Sequence, residues 1–210
     1  FALRLAPLFL ISALALSACQ SSEERAAEHH RSALELVEKG DLDRALVEFR
    51  NVFRLDATNL EARRDFARTL RQMGRRDQSF AQYLRIAEQL PEDPEALGAL
   101  AGIALDAQDW QTLRLYGPRL IAVAPEDPQA ALIGLNLRYF DAIEAEDAAA
   151  RKEVVAEAGA LLAAQAEPGP DSLPLYRILV DAAVRDQDIP AALAALDKAT
   201  ALDPENRIMW

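Results

Sequence analysis

The fold is decided by one stretch in the first quarter of the chain, Gly40-Asp41-Leu42-Asp43-Arg44-Ala45-Leu46-Val47-Glu48-Phe49. This stretch lies within residues 26–59, which read as an amphipathic helix, a tight turn at Gly40 and a second amphipathic helix. The same spacing returns over residues 60–93 without an insertion or a deletion. A period of 34 residues built from two helices is typical of a helical solenoid.

The composition agrees with an all-helical protein. Of the 210 residues, 51% are hydrophobic, with much alanine and leucine and few aromatic residues. The net charge of -11 argues against unspecific binding to nucleic acid or to an anionic membrane surface. Cys19 is the only cysteine, so neither a disulfide framework nor a cysteine-based zinc site can be built.

Residues 1–18 are typical of a secretory signal peptide. An apolar run from Leu5 to Ala18 follows Arg4, and its length suits the central region of a signal peptide better than a bilayer span. The run ends in a tetrapeptide that resembles the lipobox of bacterial lipoproteins, Leu16-Ser17-Ala18-Cys19. The resemblance implies that Cys19 becomes the lipidated first residue of the mature protein and that residues 19–25 form a tether to the membrane.

Gln20 follows Cys19, in place of the aspartate that retains many lipoproteins at the inner membrane. The resemblance therefore favours the periplasmic face of the outer membrane. Two alternatives stay open: an ordinary signal peptide or uncleaved anchor with an incidental cysteine, and a soluble cytosolic protein with a mispredicted start.

The first repeat carries the residues that point to a family. The spacing resembles that of the tetratricopeptide repeat, on the residues Ala33, Leu36, Gly40, Ala45, Phe49 and Leu55-Asp56. Small residues stand where two helices approach most closely, and the aromatic residue fills the gap one turn later. The resemblance implies an all-α, right-handed superhelical solenoid of helix–turn–helix units.

The pattern predicts about five repeats, at residues 26–59, 60–93, 94–127, 128–170 and 173–206. The third and fourth open with Asp93-Pro94 and Asp127-Pro128, an N-cap followed by proline at the first helical position. In the third repeat, Gly117-Pro118 predicts a kink or a split in the second helix. The fourth is irregular, with helices expected over residues 128–144 and 147–166 before Pro168-Gly169-Pro170 breaks the chain.

Residues 207–210 resemble the start of a further repeat. A solenoid usually ends in a capping helix with a polar outer face, and Phe1 stands where a start methionine would be. We therefore expect the chain to be a fragment of a longer repeat array.

We expect no catalytic, cofactor or metal site. His29 and His30 are adjacent, so they point to different helix faces and cannot form a helical metal pair, and we expect both to be exposed to solvent. With no other histidine, neither a Ser-His-Asp nor a Cys-His arrangement can be assembled. Gly98 and Gly102 lie in a predicted helix, where they are expected to allow close helix packing.

The tetratricopeptide resemblance also implies a concave groove, lined by the first helix of each repeat, that takes an extended peptide or a partner helix. Carried over to this chain, the groove positions are His30, Leu34, Val37, Arg64, Arg68, Arg71, Asn136, Tyr139 and Phe140. The three arginines share one helix face, and Arg63, Arg75 and Arg76 add positive charge nearby. An arginine can hold a carboxylate by two parallel hydrogen bonds, so this stripe suits an acidic segment or a C-terminal carboxylate of a partner. The alternative is a solvated face that pairs with Glu61 or Asp65.

Together these features predict a non-catalytic scaffold or adaptor lipoprotein that binds protein partners in the bacterial cell envelope. By resemblance, the setting would be pilus assembly, polysaccharide export or outer-membrane biogenesis, without nucleic acid as a partner. The alternative is the substrate-presenting arm of an enzyme, such as a glycosyltransferase, whose catalytic domain lies beyond residue 210. Fold alone does not select a partner.

Overall fold

A computed structural model describes residues 21–204, and in that range the chain forms ten α-helices and no strand. The helices are α1 (Ser22–Glu38), α2 (Leu42–Leu55), α3 (Leu60–Gln72), α4 (Arg76–Gln89), α5 (Pro94–Asp106), α6 (Trp110–Val123), α7 (Pro128–Glu144), α8 (Ala148–Ala164), α9 (Leu173–Arg185) and α10 (Ile189–Leu202). A short 3-10 helix, Pro170–Ser172, precedes α9. The predicted all-α fold of about five helix pairs is confirmed.

Three predicted features lie outside the described residues: the signal peptide of residues 1–18, the lipobox with Cys19, and the repeat start at residues 207–210. Helix α1 begins at Ser22, inside the predicted tether of residues 19–25. The reason is a capping box, in which the Ser21 hydroxyl accepts the Glu24 N–H at 3.0 Å and the Glu24 carboxylate accepts the Ser21 N–H at 2.9 Å. Within the described part of the chain, no helix has both the length and the apolar character needed to cross a membrane.

Aspartate side chains set the starts of several helices. Asp93 and Asp127 each accept a backbone N–H of the following turn at 2.8 Å, and Pro94 and Pro128 stand in the first turns of α5 and α7. Proline fits there because the first N–H groups of a helix have no partner within the helix. The predicted Asp-Pro start signals are confirmed.

The turns inside the helix pairs use a left-handed residue. Gly40 and Gly74 have φ angles of 76° and 70° in the first two pairs. The later pairs place Gln108, Glu146 and Gln187 in the same conformation, with φ of 56°, 52° and 59°. A residue with a Cβ pays about 1–2 kcal/mol for this backbone conformation, so these three turns are locally strained.

The chain divides into two compact units, between Ile86 and Ala87 within α4. In the first unit, a core cluster joins α1, α2 and α3, with Phe49 fully buried at its centre. The ring centroid of Phe49 lies 5.7 Å from that of Phe66. In the second unit, a core cluster joins α7 to α10 and includes Leu135, Tyr139, Val154, Ala158, Leu162, Tyr176, Ile178, Ala182 and Ala199.

Pro118 does not split its helix, because α6 runs unbroken from Trp110 to Val123. Of the two predicted outcomes, a kink or a split, the split is therefore excluded. The neighbouring position requires glycine because a methyl group at Gly117 would lie 2.8 Å from Ile133 Cγ2 and 2.9 Å from Leu137 Cδ1. Gly117 lets α6 approach α7 closely.

Gly98 and Gly102 have the same function in α5. The Gln129 side chain of α7 lies across both, and its Nε2 donates a hydrogen bond of 2.9 Å to the Gly98 carbonyl. A methyl group would lie 3.0 Å from Gln129 Oε1 at Gly98 and 2.6 Å from its Nε2 at Gly102. The predicted close packing at these glycines is confirmed.

The fourth helix pair is the irregular one. Helices α7 and α8 each have 17 residues, whereas α3 to α6 have 13 or 14. Helix α7 spans the predicted residues 128–144, and α8 ends at Ala164, two residues before the predicted end.

Candidate functional site

The second unit contains an open groove between α7 and α9, with a volume of about 270 Å³. One face of α7 lines it with residues at positions i, i+3, i+4 and i+7, which are Asn136, Tyr139, Phe140 and Ile143. The facing side of α9 contributes Arg177, Ile178, Val180, Asp181, Val184 and Arg185, and Gln108 and Trp110 complete the lining. We call this set the α7–α9 groove.

Three predicted groove positions, Asn136, Tyr139 and Phe140, all line the α7–α9 groove. The Asn136 and Tyr139 side chains are nearly buried, and Asn136 Nδ2 donates to the Leu132 carbonyl at 2.9 Å. Phe140 is half-buried, and its ring contacts that of Trp110. The structure thus brings these residues together, with Phe140 and Trp110 forming an aromatic wall.

A hydrogen-bonded network fixes the centre of the groove. The Tyr139 hydroxyl donates to Asp181 at 2.7 Å, and Arg185 Nε donates to the same oxygen at 2.6 Å. Burial and, to a lesser degree, the bond to Asp181 raise the pKa of Tyr139, so the phenol stays protonated at neutral pH. The hydrogen bond between Tyr139 and Asp181 therefore links α7 to α9.

Arg177 lies in the groove with few partners. Its Nη1 donates to the Leu105 carbonyl at 2.9 Å, whereas its Nε is buried and has no hydrogen-bond partner in the described structure. Burial lowers the pKa of Arg177, and Asp106 acts in the opposite direction with a smaller effect. Reasoning from the sequence missed Arg177 and Trp110, although an isolated arginine between Tyr176 and Ile178 was a signal that could have drawn attention to it.

The first unit holds the other predicted groove positions. Leu34 is exposed, while Val37 packs against the core cluster of that unit. His30 is half-buried, and its Nε2 lies 2.8 Å from Asp65 Oδ2. His29 Nδ1 likewise lies 2.6 Å from a carboxylate oxygen of Glu48. The side chain of His30 is 12% exposed and that of His29 is 38% exposed, so the prediction of solvent exposure was wrong for His30 and is partly met by His29.

The predicted basic stripe on α3 is partly neutralised. Arg68 forms an ion pair of 3.1 Å with Asp65, as the alternative interpretation expected. Arg64 is half-buried and Arg71 is exposed. Arg75, one of the additional cations, pairs with Asp43 at 2.9 Å.

Arg63 does not belong to that basic surface, because it is only 5% exposed. Its guanidinium donates to the Ala57 carbonyl at 2.6 Å and to Gln82 at 2.8 Å, and it lies 4.8 Å from the centre of the Phe53 ring. These contacts make Arg63 part of the framework of the first unit. Its placement three residues before Phe66, on the core face of α3, was the available signal.

Within residues 21–204, no group of three or more histidine, cysteine, aspartate or glutamate side chains is arranged as a metal site. Several groove side chains already form hydrogen bonds within the protein: Tyr139 to Asp181 between α7 and α9, Arg185 to Asp181 within α9, and Asn136 to Leu132 within α7. What the groove leaves open to a ligand is an apolar wall beside an arginine.

The model of the family described as tetratricopeptide repeat matches residues 36–103. No curated protein matches the chain in sequence.

Several solved structures share the fold. The crystal structure of YrrB, described as a tetratricopeptide repeat protein with an unusual peptide-binding site, has a TM-score of 0.57 and 15% identity, over 98% of this chain and 97% of that chain. A tetratricopeptide repeat protein from Parabacteroides merdae has a TM-score of 0.53 and 13% identity, over 95% and 86%. A chain in the Cut9–Hcn1 hetero-tetramer of APC/C has a TM-score of 0.56 and 16% identity, over 96% of this chain and 38% of that chain. The chain therefore has the tetratricopeptide repeat fold, and residues 36–103 match the tetratricopeptide repeat family.

Proposed function

We propose that the chain is a non-catalytic scaffold that binds protein partners through the α7–α9 groove. The observation that carries this proposal is the groove itself, where Phe140 and Trp110 face the apolar side of α9 and leave room for a ligand. Val184, at its rim, is 55% exposed. Aromatic and aliphatic side chains beside an arginine are the residue types that dominate protein–protein contacts.

The fold supports this assignment. YrrB is described as having a peptide-binding site, and the Cut9 and Hcn1 chains form a complex. Both structures share the helix-pair architecture with this chain at low sequence identity, so they support a binding function in general and leave the partner to be found by experiment.

The groove assignment is tested by site-specific photo-cross-linking in intact cells that express the protein from its own gene. A cross-linking amino acid at Val184 should give a discrete covalent adduct with a partner protein. The matched control is Leu115 on α6, which is 56% exposed and lies outside the groove. The same adduct from both positions, or none from Val184, would contradict the assignment.

The basic stripe on α3 is a second candidate surface, in the first unit. Arg71 is exposed, and Arg68 keeps more than half of its side chain accessible despite its ion pair with Asp65. We propose that this stripe attracts an acidic segment of the partner. Changing Arg64 and Arg68 to glutamate should weaken partner capture while helicity stays intact; unchanged capture would remove the stripe from the binding surface.

For the cellular setting, we propose a lipoprotein anchored through Cys19 at the periplasmic face of the outer membrane. The support is the apolar run before the tetrapeptide Leu16-Ser17-Ala18-Cys19. Pilus assembly, polysaccharide export and outer-membrane biogenesis are the settings that such repeat lipoproteins suggest. Labelling with a palmitate analogue should mark the wild type and not Cys19→Ser; label that persists in the variant would defeat the lipid anchor.

A further inference from the structure

Arg177 forms a hydrogen bond that skips one helix pair. It lies on α9, in the fifth pair, and its Nη1 donates at 2.9 Å to the Leu105 carbonyl near the end of α5, in the third pair. The two residues are 72 positions apart in the chain, which is more than two periods of 34 residues. In a helical solenoid each repeat contacts only its neighbours, so a bond between the third and the fifth pair departs from that rule.

Other hydrogen bonds between pairs of the second unit join neighbours. The Gln129 side chain connects α7 to α5 through the Gly98 carbonyl, and the Tyr139 hydroxyl connects α7 to α9 through Asp181. Each of these bonds links the fourth pair to a pair directly beside it. The Arg177 bond therefore adds a connection that the stacking of neighbouring pairs does not supply.

The acceptor suits a cation, because it lies at the carboxyl end of α5, where the helix dipole favours positive charge. The charge of Asp106 acts on Arg177 in the same sense. The Leu105 carbonyl also accepts the Gln108 N–H of the following turn at 3.1 Å, so Arg177 occupies the second of its two acceptor positions. A hydrogen bond from a charged donor is stronger than one between neutral groups, so this contact can bear load between the pairs.

The α7–α9 groove is built from the same three pairs. Gln108 and Trp110 come from the turn and the second helix of the third pair, Asn136 and Phe140 from the fourth, and the opposite wall from α9 in the fifth. Relative motion of the third and fifth pairs would change the distance between these walls. A bond that joins the two outer pairs across the fourth opposes that motion.

We propose that Arg177 is a strut that couples the third helix pair to the fifth and thereby fixes the shape of the α7–α9 groove before any partner binds. A binding surface that is already held in shape loses less conformational freedom on association. The strut also gives a reason for keeping this arginine, whose buried Nε has no partner within residues 21–204 and therefore costs free energy. The inference concerns the groove itself and does not depend on the proposed function.

The test is native-state amide hydrogen exchange, measured by NMR on the full chain for the wild type and Arg177→Met. Methionine keeps an unbranched side chain and removes every donor. We expect exchange of the order of 10-fold faster in α10, at Ala195 and Ala199, and also in the third pair, at Leu113 and Leu120 of α6. The reason is that opening of either pair no longer breaks a charge-assisted hydrogen bond. Stacking of neighbours alone predicts faster exchange in the fourth and fifth pairs only.

Two further variants complete the experiment. Arg138→Met is the matched control, because Arg138 pairs with Glu157 within the fourth pair, and it should leave exchange in the third and fifth pairs unchanged. Arg177→Lys keeps a charged donor on a long stem, so it should hold exchange in the third pair close to the wild-type rate. This variant also tests the strut if Arg177→Met does not fold.

Three results would overturn the proposal: unchanged exchange in Arg177→Met, faster exchange confined to the fourth and fifth pairs, or exchange in Arg177→Lys that is much faster than in the wild type throughout the third pair. The failure of the proposed function looks different, because there Val184 forms no adduct with any protein in cells. Faster exchange in the third pair of Arg177→Met without an adduct at Val184 would keep the strut and reject the scaffold function.

Discussion

Replacing Phe49 by alanine tests the register of the first helix pair. The Phe49 side chain is fully buried, and its ring contacts those of Phe66 and His30, with centroids at 5.7 and 6.0 Å. Truncation removes the buried ring and leaves a cavity between α1, α2 and α3, which typically costs about 3–5 kcal/mol. The upper half of this range is expected here, because the two aromatic contacts add about 0.5–1.5 kcal/mol each.

The measurement is chemical denaturation followed by circular dichroism, and the matched control is Val47→Ala on the same helix. Val47 is 49% exposed, so its truncation should change the free energy of unfolding by no more than about 0.5 kcal/mol. A near-neutral effect of Phe49→Ala, or equal effects of the two substitutions, would refute the packing described for the first unit.

Three further predictions concern stability. Gly117→Ala should lower the free energy of unfolding by about 1–3 kcal/mol, measured by urea denaturation, because the added methyl group would lie 2.8 Å from Ile133; an unchanged midpoint would contradict the close approach of α6 and α7. Gln187→Gly should raise it by about 1 kcal/mol, seen as a higher Tm by calorimetry, since φ is 59° there. The hydrogen bond from His29 holds the pKa of Glu48 below its ordinary value of about 4.3. The ionised Glu48 carboxylate therefore stabilises the fold at pH values above its unfolded pKa, and this stabilisation is lost as the pH falls through the lower, folded pKa. Glu48→Gln should lower the free energy of unfolding at neutral pH, and the difference from the wild type should disappear in acid. A difference that does not change with pH would contradict the contribution of the Glu48–His29 pair.

Features that depend on local spacing could be predicted from the sequence. Ala45 and Phe49 share a helix face because they are four residues apart, and both are buried. Asp93-Pro94 marks a helix start because capping involves only neighbouring residues. Gly40 and Gly74 mark turns, since glycine adopts positive φ without a penalty.

Some features were not predicted although they are local. Gln108, Glu146 and Gln187 form turns like those of the glycines, and no residue preference identifies them. The capping box at Ser21 and Glu24 extends α1 into a segment whose polar composition suggested a tether. Ser21 and Glu24 have the three-residue spacing of a capping box, which is the signal that identifies this helix start.

The site was predictable on one of its two sides. The tetratricopeptide resemblance implied groove positions at Asn136, Tyr139 and Phe140, and all three line the α7–α9 groove. The opposite side depends on how α9 packs after the irregular fourth pair, which spacing does not specify. The partners of Arg63 show the same limit: its position on the core face of α3 follows from spacing, but its hydrogen bonds to the Ala57 carbonyl and Gln82 do not.

The central claim is that the α7–α9 groove binds the protein partner, and the most direct measurement is the partner's dissociation constant. The protein that forms the adduct at Val184 would be purified and titrated calorimetrically against the wild type, Val184→Glu and Leu115→Glu. These positions are equally exposed, and only Val184 lines the groove. The account predicts at least about 10-fold weaker binding for Val184→Glu, as burying an unpaired charge requires, and unchanged binding for Leu115→Glu. Equal dissociation constants for the wild type and Val184→Glu would contradict it.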